Sequence, residues 1–404
     1  RAANAGAATG DDDNDDHRPD DDAADDDASG GLGADGVALG LYTADSAGTP
    51  LHAVRLVCQA LDWSWLAHGD AVFVKLACNS GNAHPAVTSP DAVRAVVAEL
   101  FARGAGRVVV GDQSGVESVR SAAGGRRYGA TRDLMKRNGL WQAIAAAGAA
   151  PYFFDEQDYD SGYFGATLSF ADAHWLAAPQ VPAVIREVDH IVYLPRLSSH
   201  MIAGYTHGHK CAIGWLRDDS RHELHYKAAS LHEKFVEVNY AKEIRDRHRL
   251  TITLAEQVLL DAGPDVGTIA PADPWLVIAS PHPANHDALS VAAMTYIDDL
   301  TPPSGDGLVT PYGKMSDLYN RGLLSMIPVV TGIPWTSDTP APYTPLASPD
   351  YQKGIADDRA LTRAYQILGG VPSVIPVRLM GQAPAPDFRA FLAAFNRGIF
   401  DLSA

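Results

Sequence analysis

The sequence predicts an α/β protein: a mostly parallel sheet with helices on both faces, preceded by a disordered acidic leader. Three observations predict it. Apolar runs of strand length alternate with stretches of helical periodicity from residue 37 onward. Two of those runs, "AVFVKLAC" and "RVVVGDQSG", begin almost wholly apolar, as strands covered on both faces do. Polar residues gather where the runs end, at the edge where open α/β sheets bind ligands.

The elements follow in order. "GVALGLYT" reads as the first strand and "LHAVRLVCQAL" as a helix. "AVFVKLAC" is the next strand. The helix after it has Ser89 as N-cap, Pro90 at its first position and Gly104 to close it. "RVVVGDQSG" then implies a parallel crossover. "RDLMKRNGLWQAIAAAG" reads as one helix, "APYFFD" as a short strand, and "VDHIVYLPRL" as a strong strand running into a His-rich loop. "LTITLAEQVLLDAG" fits a strand start or a helix throughout. "PWLVIASP" is a strand and "NHDALSVAAMTYI" a helix. A Pro-rich stretch (residues 334–349) precedes helices at "DDRALTRAYQILGG" and "DFRAFLAAFNRGIF".

The domain division is a leader at 1–34 and an α/β domain at 35–404, long enough for two lobes. Residues 1–28 hold eleven Asp and two Arg, a balance of −9 out of a net −17, so the body is only mildly acidic. Such a run is a solvated spacer, or alternatively an irregular calcium site without the Gly and terminal Glu of an EF-hand loop. No basic stripe is present, which argues against a nucleic-acid partner. No apolar run reaches the roughly 18 residues of a membrane span. The opening "RAANAGAATG" has the small-residue character of an export-signal cleavage region, which leads us to expect a periplasmic or extracellular protein. The three cysteines, Cys58, Cys78 and Cys211, form no CxxC pair; one disulfide or three buried thiols are both compatible with them.

Four polar clusters carry candidate chemistry. The first is Lys75, Cys78, Asn79, Asn82 and His84; a Lys in an apolar strand demands a partner or an anionic ligand. The second is "GDQSG", where Asp112 suits a metal or a hydroxyl, and Ser114 with Gly115 offers backbone N–H groups to an anion. It is not a dinucleotide fingerprint. The third is the His-rich segment, with His200, His207, His209, Lys210, Cys211, His222, His225 and His232. His207 and His209 share a strand face, and with Cys211 they are the expected ligands of a divalent metal. The fourth is Asp287 with His282 and His286, where an acid in a helix's first turn is favoured by the dipole. Each cluster has a plain structural alternative: an ion pair, a turn, capping or solvation.

Three blocks of this sequence resemble domain-of-unknown-function family 362. They are "VFVKLACNSGNAHPAVTSPDAVRAVVAELFARGAGRVVVGDQSG", "VDHIVYLPRLSSHMIAGYTHGHKCAIGWL" and "PWLVIASPHPANHDALSVAAM". The resemblance implies Lys75, Asn79, Asp112, His200, Thr206, Lys210 and Asp287 as site residues. Arg196 stands where the family has Lys, and Cys211 where it has Asn. The ferredoxin-like cysteine motifs that some members add are missing, so no iron–sulfur cluster is expected.

The functional expectation is an enzyme acting on a small anionic or oxygen-rich molecule. Lys75 and Lys210 would orient anionic groups, and His200 would be the acid/base. Asp112 and Asp287 would hold a metal or orient the base, while Asn79, Ser114, Thr206 and Arg196 would contact substrate. The alternative is a non-catalytic exported protein that binds a metal or small ligand.

Overall fold

In the computed structural model, residues 32–302 and 355–403 are described, apart from 201–202, 227, 261–262, 264 and 266. The acidic leader, with its calcium reading, and the Pro-rich stretch at 334–349 lie outside the described residues.

The main sheet runs, edge to edge, through Phe400–Asp401, Ile375–Gly381, Val37–Tyr42, Thr268–Ser280, His248–Leu260, His190–Leu194, Ala71–Leu76, Arg107–Asp112 and Ala150–Phe153. The last five strands are mutually parallel. Thr268–Ser280 is antiparallel to both of its neighbours, so the sheet is mostly rather than wholly parallel. The alternating faces of the strands feed two cores. Val72, Val74, Val192 and Leu194 pack on one side, and Phe73, Ile191 and Tyr193 on the other. Burial on both faces is why the run at 71–76 is apolar except for Lys75 and shows no period of two.

Most expected elements stand where the pattern puts them. Ser89 accepts from the Asp91 N–H, Pro90 opens the helix Pro90–Ala102, and Gly104 has φ 101°. Three differences have physical causes. The long helix at 131–146 is two, Thr131–Asn138 and Leu140–Ala146, broken at Gly139 with φ 87°. Only a residue without Cβ takes that conformation freely. "LTITLAEQVLLDAG" is not helical but the long strand His248–Leu260, paired antiparallel with Thr268–Ser280. The segment 375–381, unassigned from sequence, is a strand parallel to Val37–Tyr42. No helix among the described residues is long and apolar enough to cross a membrane.

The parallel direction brings the carboxyl ends of five strands to one edge. Lys75 sits in register with Gly111 and Tyr193, so Asp112 lies one residue beyond it. Arg196 follows the neighbouring strand. The His-rich segment then forms a short hairpin, Ser198–His200 with Gly204–Thr206, and a single helical turn, Gly208–Cys211.

Candidate functional site

The turn Gly208–Cys211 is held at both ends by buried charge. At its N-terminal end, Asp287 Oδ1 accepts from the Gly208 N–H (2.7 Å) and His286 Nδ1 (2.9 Å). Its Oδ2 accepts from the His209 N–H (2.9 Å) and His209 Nδ1 (2.7 Å). Burial pushes this carboxyl's pKa up, but His209 and His286 outweigh it and hold the group well below the usual carboxylate range. His209 Nε2 meets the Tyr240 hydroxyl at 3.0 Å, and His286 Nε2 meets Thr253 Oγ1 at 2.9 Å.

At the C-terminal end stands Lys75, 0% exposed. Its Nζ donates to Asp112 Oδ1 (2.6 Å), the Leu76 carbonyl (2.7 Å) and the Cys211 carbonyl (2.9 Å). An ammonium has three protons, so none is left for a ligand. Asp112 is equally committed, accepting also from the Cys78 N–H (2.6 Å) and the Gln113 N–H (2.8 Å). Gly214 lies against this pair, where a Cβ would collide with both Asp112 Oδ1 and Lys75 Nζ. The expected roles of Lys75, Asp112 and Asp287 at the reacting atoms therefore give way to positioning roles. They fix the turn that carries Lys210.

Lys210 is treated differently. Among the described residues no hydrogen bond or ion pair holds its ammonium. Burial and the Arg196 charge push its pKa down to about 7. Arg196 is 1% exposed, and its Nε and Nη1 are buried without a hydrogen-bond partner. Burial lowers its pKa to about 10, and the strongest opposing influence is Asp265. His200 joins the group. Burial first, then Lys210 and Arg196, push its pKa well below its ordinary value, so its ring is neutral at pH 7. Its Nδ1 accepts from the Ala203 N–H (3.2 Å), which puts the proton of a neutral ring on Nε2. The neutral ring of His200, expected as the acid/base, adds no charge to the two cations beside it.

Two contributors were not singled out from sequence. Arg221, on the helix Asp218–Tyr226, is buried and donates to the carbonyls of Ser114 (2.5 Å), Gln113 (2.9 Å) and Leu216 (2.9 Å). One turn on, His225 Nδ1 donates to the Arg221 carbonyl (2.7 Å), which leaves the Nε2 lone pair of the neutral ring as an acceptor. Burial pushes the pKa of His225 down to about 4. Asp265 is the second newcomer. Asn79 Nδ2 donates to both its oxygens (2.9 and 3.0 Å), and Asn82 Nδ2 donates to its carbonyl (3.0 Å). Asn79 therefore holds a carboxylate of the protein itself. The only signal for Asp265 was its place at a strand's carboxyl end.

Other expected contacts are redirected. The backbone N–H groups after Asp112 form no anion cradle, because Ser114 N donates to Thr131 Oγ1 (3.0 Å) and Gly115 N to the Asn79 carbonyl (2.9 Å). Ser114 itself is fully buried. Thr206 is buried, with its hydroxyl oxygen lacking a partner. The metal set His207, His209 and Cys211 is not assembled. Both nitrogens of His209 are engaged, the His207 ring stacks on Tyr205 at 4.5 Å, and Cys211 Sγ donates to the Leu76 carbonyl (3.2 Å). Burial pushes the Cys211 thiol up to about 12, away from the thiolate a metal needs. Among the described residues no group of three His, Cys, Asp or Glu is placed to hold a metal ion. All three cysteines are buried and free.

The strand-end lysine, the Gly-Asp turn, the His-rich hairpin and the Asp-bearing helix thus form one continuous arrangement. Residues 72–292, more than half of the chain, match the family described as "Domain of unknown function (DUF362)". The chain belongs to this family. The DUF362 region runs from the strand that carries Lys75 to the helix that carries Asp287, and so includes both ends of the clamp. No curated protein matches the chain. Solved structures similar to it include a protein from Thermotoga maritima, at 13% identity and TM-score 0.36, covering 63% of this chain and 58% of that one. Another is the lactate racemase apoprotein from Thermoanaerobacterium thermosaccharolyticum, at 11% identity and TM-score 0.35, covering 66% of this chain and 57% of that one. The chain spans less than two thirds of the length of either. Likenesses this distant carry no chemistry across.

Proposed function

We propose that this DUF362 protein is an enzyme acting on a small anionic molecule bound at the carboxyl edge of the sheet. One observation carries the reading: the Arg196 guanidinium is buried with Nε and Nη1 unsatisfied. A buried charge with unmade hydrogen bonds costs several kcal/mol, and a carboxylate or phosphate oxygen supplies the missing acceptors. Lys210 stands within the field of the same guanidinium. Around an anion held there, His225 Nε2 of the neutral ring is a proton acceptor. The neutral form of Lys210 is accessible near pH 7, which suits proton transfer. A binding protein would need the guanidinium alone; a neutral imidazole, His225, in the field of a lysine that sheds its proton near pH 7 favours catalysis.

Isothermal titration with propanoate and with inorganic phosphate tests the reading. At least one probe binds the wild type, and Arg196→Met abolishes that binding while circular dichroism is unchanged. Equal affinity in the variant would remove the anion site. His225→Ala separates the two classes: an enzyme keeps probe binding but loses product formation from a mixture of small acids, followed by mass spectrometry.

A further inference from the structure

Beyond the Gly-Asp turn the chain forms a small hairpin outside the main sheet, Arg120–Ala122 with Arg126–Tyr128. Its register sets Arg120 opposite Tyr128, Ser121 opposite Arg127 and Ala122 opposite Arg126. Opposed residues share a face, so Ser121 and Arg127 lie on one side and Arg120, Ala122, Arg126 and Tyr128 on the other. The first side is fastened to the body. Ser121 Oγ donates to Asp218 Oδ2 (2.8 Å), and Arg127 Nη2 donates to the Glu156 carbonyl (2.9 Å). At the base, Gly129 has φ 68°, and a Cβ there would collide with the Ser118 carbonyl oxygen. The second side faces solvent. Tyr128 is 57% exposed, Arg126 is exposed, and the Arg120 guanidinium lies over the Tyr128 ring, 4.2 Å from its centre.

The charge here opposes that of the rest of the molecule. Residues 120–137 hold six cations and one acid, whereas the remainder of 29–404 carries a balance of −13. Arg132 and Lys136 have acids of their own, Glu156 at 2.6 Å and Asp133 at 3.7 Å. Arg127 donates to two carbonyls, which leave its charge in place. Among the described residues no hydrogen bond or ion pair holds the Arg126 guanidinium. A guanidinium held over an aromatic ring keeps N–H groups at its edge for a carboxylate. The strands are three residues long, so the face spans only about 10 Å. A nucleic-acid strand carries a charge at every phosphate and would run past this face onto acidic surface. A short run of Asp or Glu matches it in sign and in length. We propose that the outer face of this hairpin is a docking surface for an acidic segment of a partner protein, its carboxylates against Arg120 and Arg126. The surface does not depend on the anion-site reading.

Fluorescence anisotropy of a labelled hexa-aspartate peptide, titrated with the full chain, tests this. The peptide binds saturably and more weakly as salt rises. Arg126→Glu lowers its affinity about tenfold, with circular dichroism unchanged. Arg389→Glu makes the same change of net charge on the helix Pro386–Ala394, whose Arg389 reaches the Leu402 carbonyl beside the other edge of the sheet. That control shifts the affinity by less than about twofold, because salt screens a charge so far away. Tyr128→Ala, which removes the ring beneath Arg120, gives a loss between the two, and Arg196→Met leaves peptide binding as it was. An absence of saturable binding, or equal effects of the two charge reversals, overturns the docking surface. Tighter binding of a hexathymidylate strand points to nucleic acid and overturns the acidic segment. Peptide binding that disappears in Arg196→Met belongs to the anion site and overturns the hairpin's role.

Discussion

The two ends of the turn Gly208–Cys211 face the same problem, buried charge, and resolve it in opposite ways. On the Asp287 and Lys75 ends every charged atom is matched by hydrogen bonds. On the flank between them, Arg196 Nε and Nη1 are unmatched, and among the described residues no hydrogen bond or ion pair holds the half-buried Lys210. The saturated charges hold a backbone segment in place. The unsaturated ones store free energy that a ligand of the right sign recovers. Lys75 and Arg196 are alike in burial and charge, and the count of satisfied protons tells structure from site.

Acid should part the two regions most strongly. His225 and His232 have pKa values pushed down by burial to about 4 and about 3, against roughly 6.5 in an unfolded chain. Below pH 6.5 the unfolded chain binds protons that the folded one refuses. Stability is therefore full above that pH and falls as pH drops toward 4, by about 1.4 kcal/mol per pH unit per histidine. Asp287 acts in the same direction but at lower pH. Its depressed carboxyl contributes stability above the ordinary carboxylate pKa and loses it only further down. Denaturant titrations from pH 7.5 to 4.5 should show a steep loss, flattened in the double variant His225→Phe/His232→Phe. An unchanged slope in that variant would mean that these rings are already protonated in the fold.

The saturated clamp comes next. Lys75→Met removes one partner of a buried pair and strands Asp112, at a cost of about 3–5 kcal/mol. Adding Asp112→Leu should return part of it, because the uncompensated carboxylate goes too. Urea denaturation reads both. A cost below about 1 kcal/mol for Lys75→Met would contradict a positioning role.

Where such residues would gather was legible in the sequence; what each would do there was not. A Lys in an apolar strand announced a buried charge, but not that three oxygens would take all its protons. Asp287 read as an acid favouring its own helix, whereas its carboxylate caps a segment 78 and 79 residues away in sequence. His207 and His209 looked like ligands because their spacing suits a strand, yet the chain turns into a helix between them. Asp265 was invisible because its importance lies in which charges surround it. In the fold, the run at 248–260 stayed ambiguous because burial on both faces erases the period that separates strand from helix.

The smallest expected change has the most informative sign. Arg196→Met trades an unsatisfied guanidinium for an apolar chain of similar reach. Were Arg196 structural, like Lys75, the trade would be destabilising. If it is held in readiness for a ligand, removing it relieves a desolvation cost that Asp265 offsets only in part. The variant should then be as stable as the wild type or more stable, by about 1 kcal/mol. Equilibrium denaturation without ligand measures this directly. A gain in stability with loss of anion binding is the trade-off expected of a functional charge, and a loss of several kcal/mol would place Arg196 with the saturated clamp instead.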